Sequence, residues 1–188
     1  MVEESAPILV TGAGGLLGST LATALRGRGE RVVCMGRNDL SHPDEIIEKI
    51  RLLKPARIFN CASHTDLETA ETAPELDRAI NVELPGLIAK VCADLVVPLV
   101  HFSSTGCYGD WKNDPYTEAD ELHPLSKHHQ AKLAGERAVA AAGCAHTIFR
   151  LGWLYGGDTE QPKNFVWKRI VEAANTPEMV SDDVQRGC

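Results

Sequence analysis

The chain has 188 residues, 44% hydrophobic and 24% charged, enough for a domain with a real core. A net charge of −7 argues against a nucleic-acid binder, because no basic surplus exists to neutralise phosphates. No run of about 18 apolar residues occurs, so no membrane partner is expected. The acidic Met1–Ser5 differs from a secretory leader, which points to a cytoplasmic protein.

The elements follow in order. Ile8-Leu9-Val10-Thr11 reads as a strand buried on both faces. A glycine turn follows, Gly12-Ala13-Gly14-Gly15-Leu16-Leu17-Gly18, and opens a helix carrying Leu17, Leu21, Ala24 and Leu25 at helical spacing. Gly12 suits the tight turn, Gly15 a close approach to phosphate, and Gly18 close packing of helix on strand. A helix N-terminus offers N–H groups and the positive end of its dipole, which suits a pyrophosphate.

Arg31–Met35 is the second strand, ending at Gly36-Arg37-Asn38. In a dinucleotide fold this strand end meets the adenosine ribose, where an arginine suits a 2′-phosphate. Arg37 therefore points to NADP(H), with NAD(H) as the alternative and a solvated loop arginine as the structural one. Asp39-Leu40 lead to a helix from Pro43 to Leu53, its buried stripe Ile46, Ile47, Ile50 and Leu53, stopped by Pro55. Arg57–Ala62 is a strand ending in Ser63-His64-Thr65.

Pro74–Leu95 reads as a long amphipathic helix with Leu76, Ile80, Leu84, Leu87, Ile88, Val91 and Leu95 on one face, kinked or split by Pro85. Val96–Phe102 is the next strand and runs into Ser103-Ser104. Asp110–Leu125 is a polar loop. A helix spans about Ser126–Ala142 with Gly143 as its C-cap. Thr147–Leu151 is a strand, and Asn164–Ala174 a helix with Phe165, Val166, Ile170 and Val171 inward. Strands alternating with helices predict an α/β, doubly wound parallel sheet of Rossmann type over residues 1–188, with ligands at the carboxyl ends of the strands.

The six cysteines form no Cys-x-x-Cys pair and match no zinc spacing; Cys34, Cys61 and Cys92 lie in apolar runs and read as small reduced hydrophobes. His128 and His129 are adjacent, about 100° apart on a helix, so no metal site is expected.

The motifs resemble the extended short-chain dehydrogenase/reductases, and within them the dTDP-4-dehydrorhamnose reductase branch, which includes the regulatory β subunit of methionine adenosyltransferase. The resemblance rests on Thr11-Gly12-x-x-Gly15-x-x-Gly18, Asn60-Cys61-Ala62-Ser63-His64-Thr65, Asn81-Val82, Ser103–Gly109, Pro115-Tyr116-Thr117-Glu118 and Lys132-Leu133-Ala134-Gly135-Glu136. It implies a nicotinamide cofactor against Gly12, Gly14, Gly15, Leu16, Leu17, Gly18, Arg37, Asp39, Leu40, Cys61, Ala62, Ser63, Asn81 and Lys132. It also implies hydride transfer to the carbonyl of a small substrate such as a nucleotide-linked sugar. Ser104 matches the family's serine, which bonds the carbonyl oxygen, and Lys132 its lysine.

His128 stands at the position of the family's proton-donating tyrosine, four residues before Lys132 and so on the same helix face. The family continues for about another hundred residues, so the C-terminal substrate region is expected to be missing, with Asp182–Cys188 resembling a segment inside the family pattern. Three readings stay open. One is a reductase working with His128. The second is a non-catalytic nucleotide-binding regulatory subunit acting through a partner or as a homodimer. The third, a scaffold without cofactor, is disfavoured by the three glycines.

Overall fold

The computed structural model describes residues 5–40, 42–159, 161 and 163–180. The expected family-like ending at Asp182–Cys188 lies outside them. Strands β1 (Ile8–Thr11), β2 (Val32–Met35), β3 (Arg57–Asn60), β4 (Leu99–Ser104) and β5 (His146–Leu151) form one parallel sheet in the order β2-β1-β3-β4-β5. The helices are α1 (Leu16–Gly27), α2 (Pro43–Leu53), α3 (Leu67–Thr72), α4 (Pro74–Arg78), α5 (Leu84–Leu95), α6 (Lys127–Ala141) and α7 (Phe165–Asn175). β1 is buried throughout, as a central strand with helices on both faces must be. The strand order reverses between β1 and β3, which makes their carboxyl ends the switch point where such sheets bind ligands.

The main core lies on one face of the sheet. Ile46 and Ile50 of α2, Ile88 of α5 and Val139 of α6 meet Leu9, Ile58 and Leu99 of the strands, all essentially sealed from solvent. Burial of each such aliphatic side chain is worth about 1.5–3 kcal/mol. The opposite face is covered more thinly, by Ala22 and Leu25 of α1 against Ile8, Val10, Val32 and Phe59.

Several expectations are corrected here. The apolar residues of α7 do not turn inward: Phe165, Val166, Ile170 and Val171 are all exposed, and no α7 residue is buried. Periodicity identified the helix; it does not say whether a neighbour covers the stripe. The helix expected at Pro74–Leu95 runs without interruption, but its distortion lies just before Pro85, in a π-helical turn at Ala79–Glu83. Pro85 follows directly on that turn, at the change of hydrogen-bond pattern, where a residue without an N–H is accommodated inside the run. The wider turn shifts the stripe of α4 relative to that of α5, so Leu76 is exposed and Asp77 is buried in its place. Cys34 is exposed, close to the Arg26 guanidinium, and Ala24 faces solvent. The short helix α3, capped by the Asp66 carboxylate on the Thr69 N–H (3.0 Å), was not anticipated.

A further correction concerns Val96, expected to open a strand. It is the left-handed C-cap of α5 (φ 56°) and is 89% exposed. A β-branched residue pays for that conformation without burying anything in return. Val96→Gly is therefore expected to stabilise the fold by about 1 kcal/mol, read as a higher urea midpoint at unchanged slope.

Candidate functional site

The glycine turn is built by contact with β3. Gly12 has φ 65°, and a Cβ there would lie 2.6 Å from the Ala62 nitrogen and from the Cys61 carbonyl. A Cβ on Gly18 would lie 2.4 Å from the Gly12 carbonyl oxygen. These two glycines let strand ends and helix close on one another. A Cβ at Gly14 would meet nothing within 4 Å, and one at Gly15 only the Gly12 oxygen at 3.3 Å, so this side of the turn faces open space. Gly15 is the N-cap of α1 and supplies no side-chain acceptor to the first amides of the helix. Leu16 and Leu17 form its first turn, with Leu16 against Gly157 of the segment after β5.

A buried polar row holds the strand ends in register. The Thr11 hydroxyl donates to Asn60 Oδ1 (2.6 Å), and Asn60 Nδ2 bonds His101 Nδ1 (3.1 Å). Burial, reinforced by Lys132, pushes the His101 imidazole down to about 3, so it stays neutral. Cys61 and Ala62 continue β3 beneath Gly12. Burial pushes the Cys61 thiol up to about 12, which leaves it protonated and unreactive.

The second half of the site lies where α6 crosses the π turn. Ser126 caps α6 through the His129 N–H (3.2 Å). One turn apart on its inner face, His128 and Lys132 are both buried. Lys132 Nζ donates to the Phe102 carbonyl (2.7 Å) and reaches Ser63 Oγ at 3.5 Å. Burial lowers its ammonium to about 8. The Ser63 hydroxyl donates to Asn81 Oδ1 (2.8 Å), and Asn81 Nδ2 donates to Asp77 Oδ1 (2.8 Å) and to the His64 carbonyl (2.9 Å). His128 Nδ1 and His64 Nδ1 each stand 3.0 Å from that same Asp77 oxygen. Asp77 Oδ2 is buried with no hydrogen-bond partner among the described residues.

The structure thus joins Ser63, Asn81, His128 and Lys132 in one network. Ser104, at the end of β4, lies outside it: its Oγ accepts from the Gly106 N–H (3.1 Å) and keeps its proton to donate elsewhere. Gly106 packs under the ring of His129, so the two adjacent histidines serve different neighbours. Arg37 is exposed at the end of β2. Asp39 accepts from the Gly36 N–H (2.9 Å) and from Lys49 (3.2 Å), and these bonds hold its carboxyl below the usual range. Leu40 closes the 3₁₀ turn Asn38–Leu40; its side chain lies outside the described part of the structure.

A family model described as RmlD substrate binding domain matches residues 6–188. The chain belongs to this family. It is 32% identical over 178 residues to the dTDP-4-dehydrorhamnose reductase of Mycolicibacterium smegmatis, covering 94% of this chain and 54% of that protein. It is 33% identical over 170 residues to the probable low-salt glycan biosynthesis reductase Agl14 of Haloferax volcanii, covering 83% and 57%. Among solved structures, the dTDP-4-dehydrorhamnose reductase of Clostridium acetobutylicum matches with a TM-score of 0.83 at 29% identity, over 89% of this chain and 59% of that one. The Bacillus anthracis dTDP-4-dehydrorhamnose reductase in complex with NADP shares the fold (TM-score 0.87, 24% identity, 94% and 62% covered). The chain therefore spans little more than half the length of these RmlD-family relatives.

Asp77 and His64 were missed by the sequence reading. A signal existed: Asp77 and Asn81 are spaced i, i+4, so two polar side chains share one stripe of a helix otherwise read as apolar. No helix among the described residues is long and apolar enough to cross a membrane.

Proposed function

We propose that residues 1–188 are the nucleotide-binding unit of a carbonyl reductase of the dTDP-4-dehydrorhamnose reductase type, using NADP(H) on a nucleotide-linked 4-keto sugar. One observation carries this reading: the buried Lys132, tied to Ser63 and Asn81, stands across the strand ends from an open, uncapped glycine turn. The turn fits a pyrophosphate, because Gly14 and Gly15 leave backbone amides approachable where a side chain would cover them. Bound NADPH supplies the hydride. Lys132 has three donors and spends two on Phe102 and Ser63, leaving one for a ribose hydroxyl. Ser104 keeps its proton for the substrate carbonyl oxygen, and His128 supplies the proton that oxygen takes up.

Calorimetric titration with NADPH and with NADH, followed by turnover on a dTDP-4-keto sugar, tests the reading. Tight NADPH binding with turnover supports it, and a folded protein that binds neither nucleotide overturns it. Arg37 is proposed to meet the 2′-phosphate. Arg37→Ala is then expected to weaken NADPH about tenfold, the worth of one charge-assisted contact, and to leave NADH unchanged; equal losses for both would remove Arg37 from this role.

A second reading is a regulatory subunit that binds the nucleotide and acts through a protein partner. The imidazole at position 128, where the resemblance places a phenol, favours it. NADPH binding without turnover, together with a co-purifying partner, would select it.

A further inference from the structure

We propose that Asp77 is the positioning residue for His128: its carboxylate holds the imidazole as the Nδ1–H form, so that Nε2 is the atom that exchanges a proton at the site. This inference rests on the reductase reading above.

Three observations support it. First, Asp77 is a carboxylate with 1% of its surface exposed, on a helix of five residues, and among the described residues no lysine or arginine lies within salt-bridge distance of it. A carboxylate buried only to stabilise a fold is poorly placed there. Desolvation is costly, and an apolar residue of similar size would do as well.

Second, its Oδ1 collects three donors, the Nδ1 of His128, the Nδ1 of His64 and the Nδ2 of Asn81, all within 3.0 Å. A carboxylate can only accept. Each imidazole must therefore carry its proton on Nδ1, which fixes tautomer and ring angle together.

Third, His128 and Lys132 are one turn apart on α6, and both enter the same network from Asp77 to Ser63. Nδ1 of His128 is committed to Asp77, so any proton it gives or takes leaves from Nε2.

The proton balance is direct. With both ring nitrogens protonated, the Nε2–H bond breaks as the substrate O–H bond forms. The ring is left neutral with its Nδ1–H still on Asp77, and solvent returns a proton to Nε2. Asp77 touches no reacting atom in this scheme; it acts through His128. A Tyr at position 128 would have no nitrogen for Asp77 to orient, so the two residues are coupled functionally as well as spatially.

Two measurements test the proposal. The first is nitrogen-15 NMR of the histidine side chains in the full chain, with His128 assigned by loss of its signals in His128→Gln. The proposal expects a slowly exchanging Nδ1 proton on His128 that is lost in Asp77→Asn or in Asp77→Ala. A His128 ring protonated on Nε2 alone in the unsubstituted protein overturns it. This arm needs no turnover, so it decides the pairing even if the reductase reading fails.

The second is a double-mutant cycle on turnover. Asp77→Asn is expected to lower kcat about 10–100-fold, the scale seen where a carboxylate that orients a metal-binding histidine is lost, with NADPH affinity within about twofold. In the His128→Tyr background the same substitution should leave kcat unchanged. Equal losses in both backgrounds mean that Asp77 only supports the fold, and overturn the proposal while leaving the reductase reading intact. His64→Gln is the control for the competing imidazole: it is expected to leave the His128 Nδ1 proton in place.

Discussion

Gly135→Ala is expected to destabilise the fold by about 2 kcal/mol, whereas the same change at Gly27 should stabilise it by about 0.5–1 kcal/mol. In a helix interior alanine is normally the better residue, because glycine loses more backbone freedom on folding. At Gly27, near the end of α1, a Cβ would meet nothing within 4 Å, and the normal preference should show. At Gly135 a Cβ would lie 2.0 Å from the Asn81 carbonyl oxygen and 3.2 Å from its carbon. That atom is backbone and belongs to the π turn, so no side-chain rotation relieves the overlap. α6 would have to move away from the turn. The movement would separate Lys132 and His128 on one element from Asn81 and Asp77 on the other. The variant should therefore also lose nucleotide affinity out of proportion to its stability. Urea midpoints of the two variants, with NADPH titrations beside them, check both parts. Equal stabilisation at the two positions would mean that α6 and the π turn are not in contact as described.

Lys132→Met should abolish turnover, by about a hundredfold or more, and should change the shape of the pH–stability curve. The burial of Lys132 lowers its folded value to about 8, from 10.5 when free. The unfolded chain then binds the proton more tightly than the folded one. Folding below about pH 8 bears the full cost of burying the ammonium, and that cost is relieved as pH rises from about 8 towards 10.5. Between about pH 7 and about pH 9.5 the native protein should gain about 2 kcal/mol relative to Lys132→Met. Urea unfolding of both proteins at the two pH values reads this difference directly. Parallel curves would show that Lys132 keeps an ordinary affinity for its proton. A group held at this cost is more useful to a nucleotide site than to a core. The Phe102 carbonyl and Ser63 hydroxyl that receive it stand at the ends of β4 and β3, where the strand order places a ligand.

How much of this was legible in the chain follows from the range of the interactions involved. The strands and the helices α1, α2, α5 and α6 are local matters: β-branched runs, 3.6-residue stripes, a proline at the first turn, a serine cap. The glycine turn is so in part, because Gly18 packs on Gly12 within one strand–turn–helix unit, whereas Gly12 also makes room for Cys61 and Ala62 from beyond β3. The parallel sheet follows from the alternation of these elements, and Ser63, Asn81, Ser104, His128 and Lys132 are identified by the resemblance of their motifs to a known family.

What only the tertiary structure decided depends on contacts between elements distant in sequence. The π turn at Ala79–Glu83 has no local signature. It exists where Gly135, more than fifty residues later, lets α6 rest on the Asn81 carbonyl. That crossing exchanges Leu76 for Asp77 on the buried side and sets Asp77 between His64 and His128. Likewise, the apolar stripe of α7 was readable, but not whether anything covers it. Periodicity records which residues share a face, since it is fixed by backbone geometry. Burial and hydrogen bonding depend on what the rest of the chain brings to that face, and for His128 that is the carboxylate of Asp77.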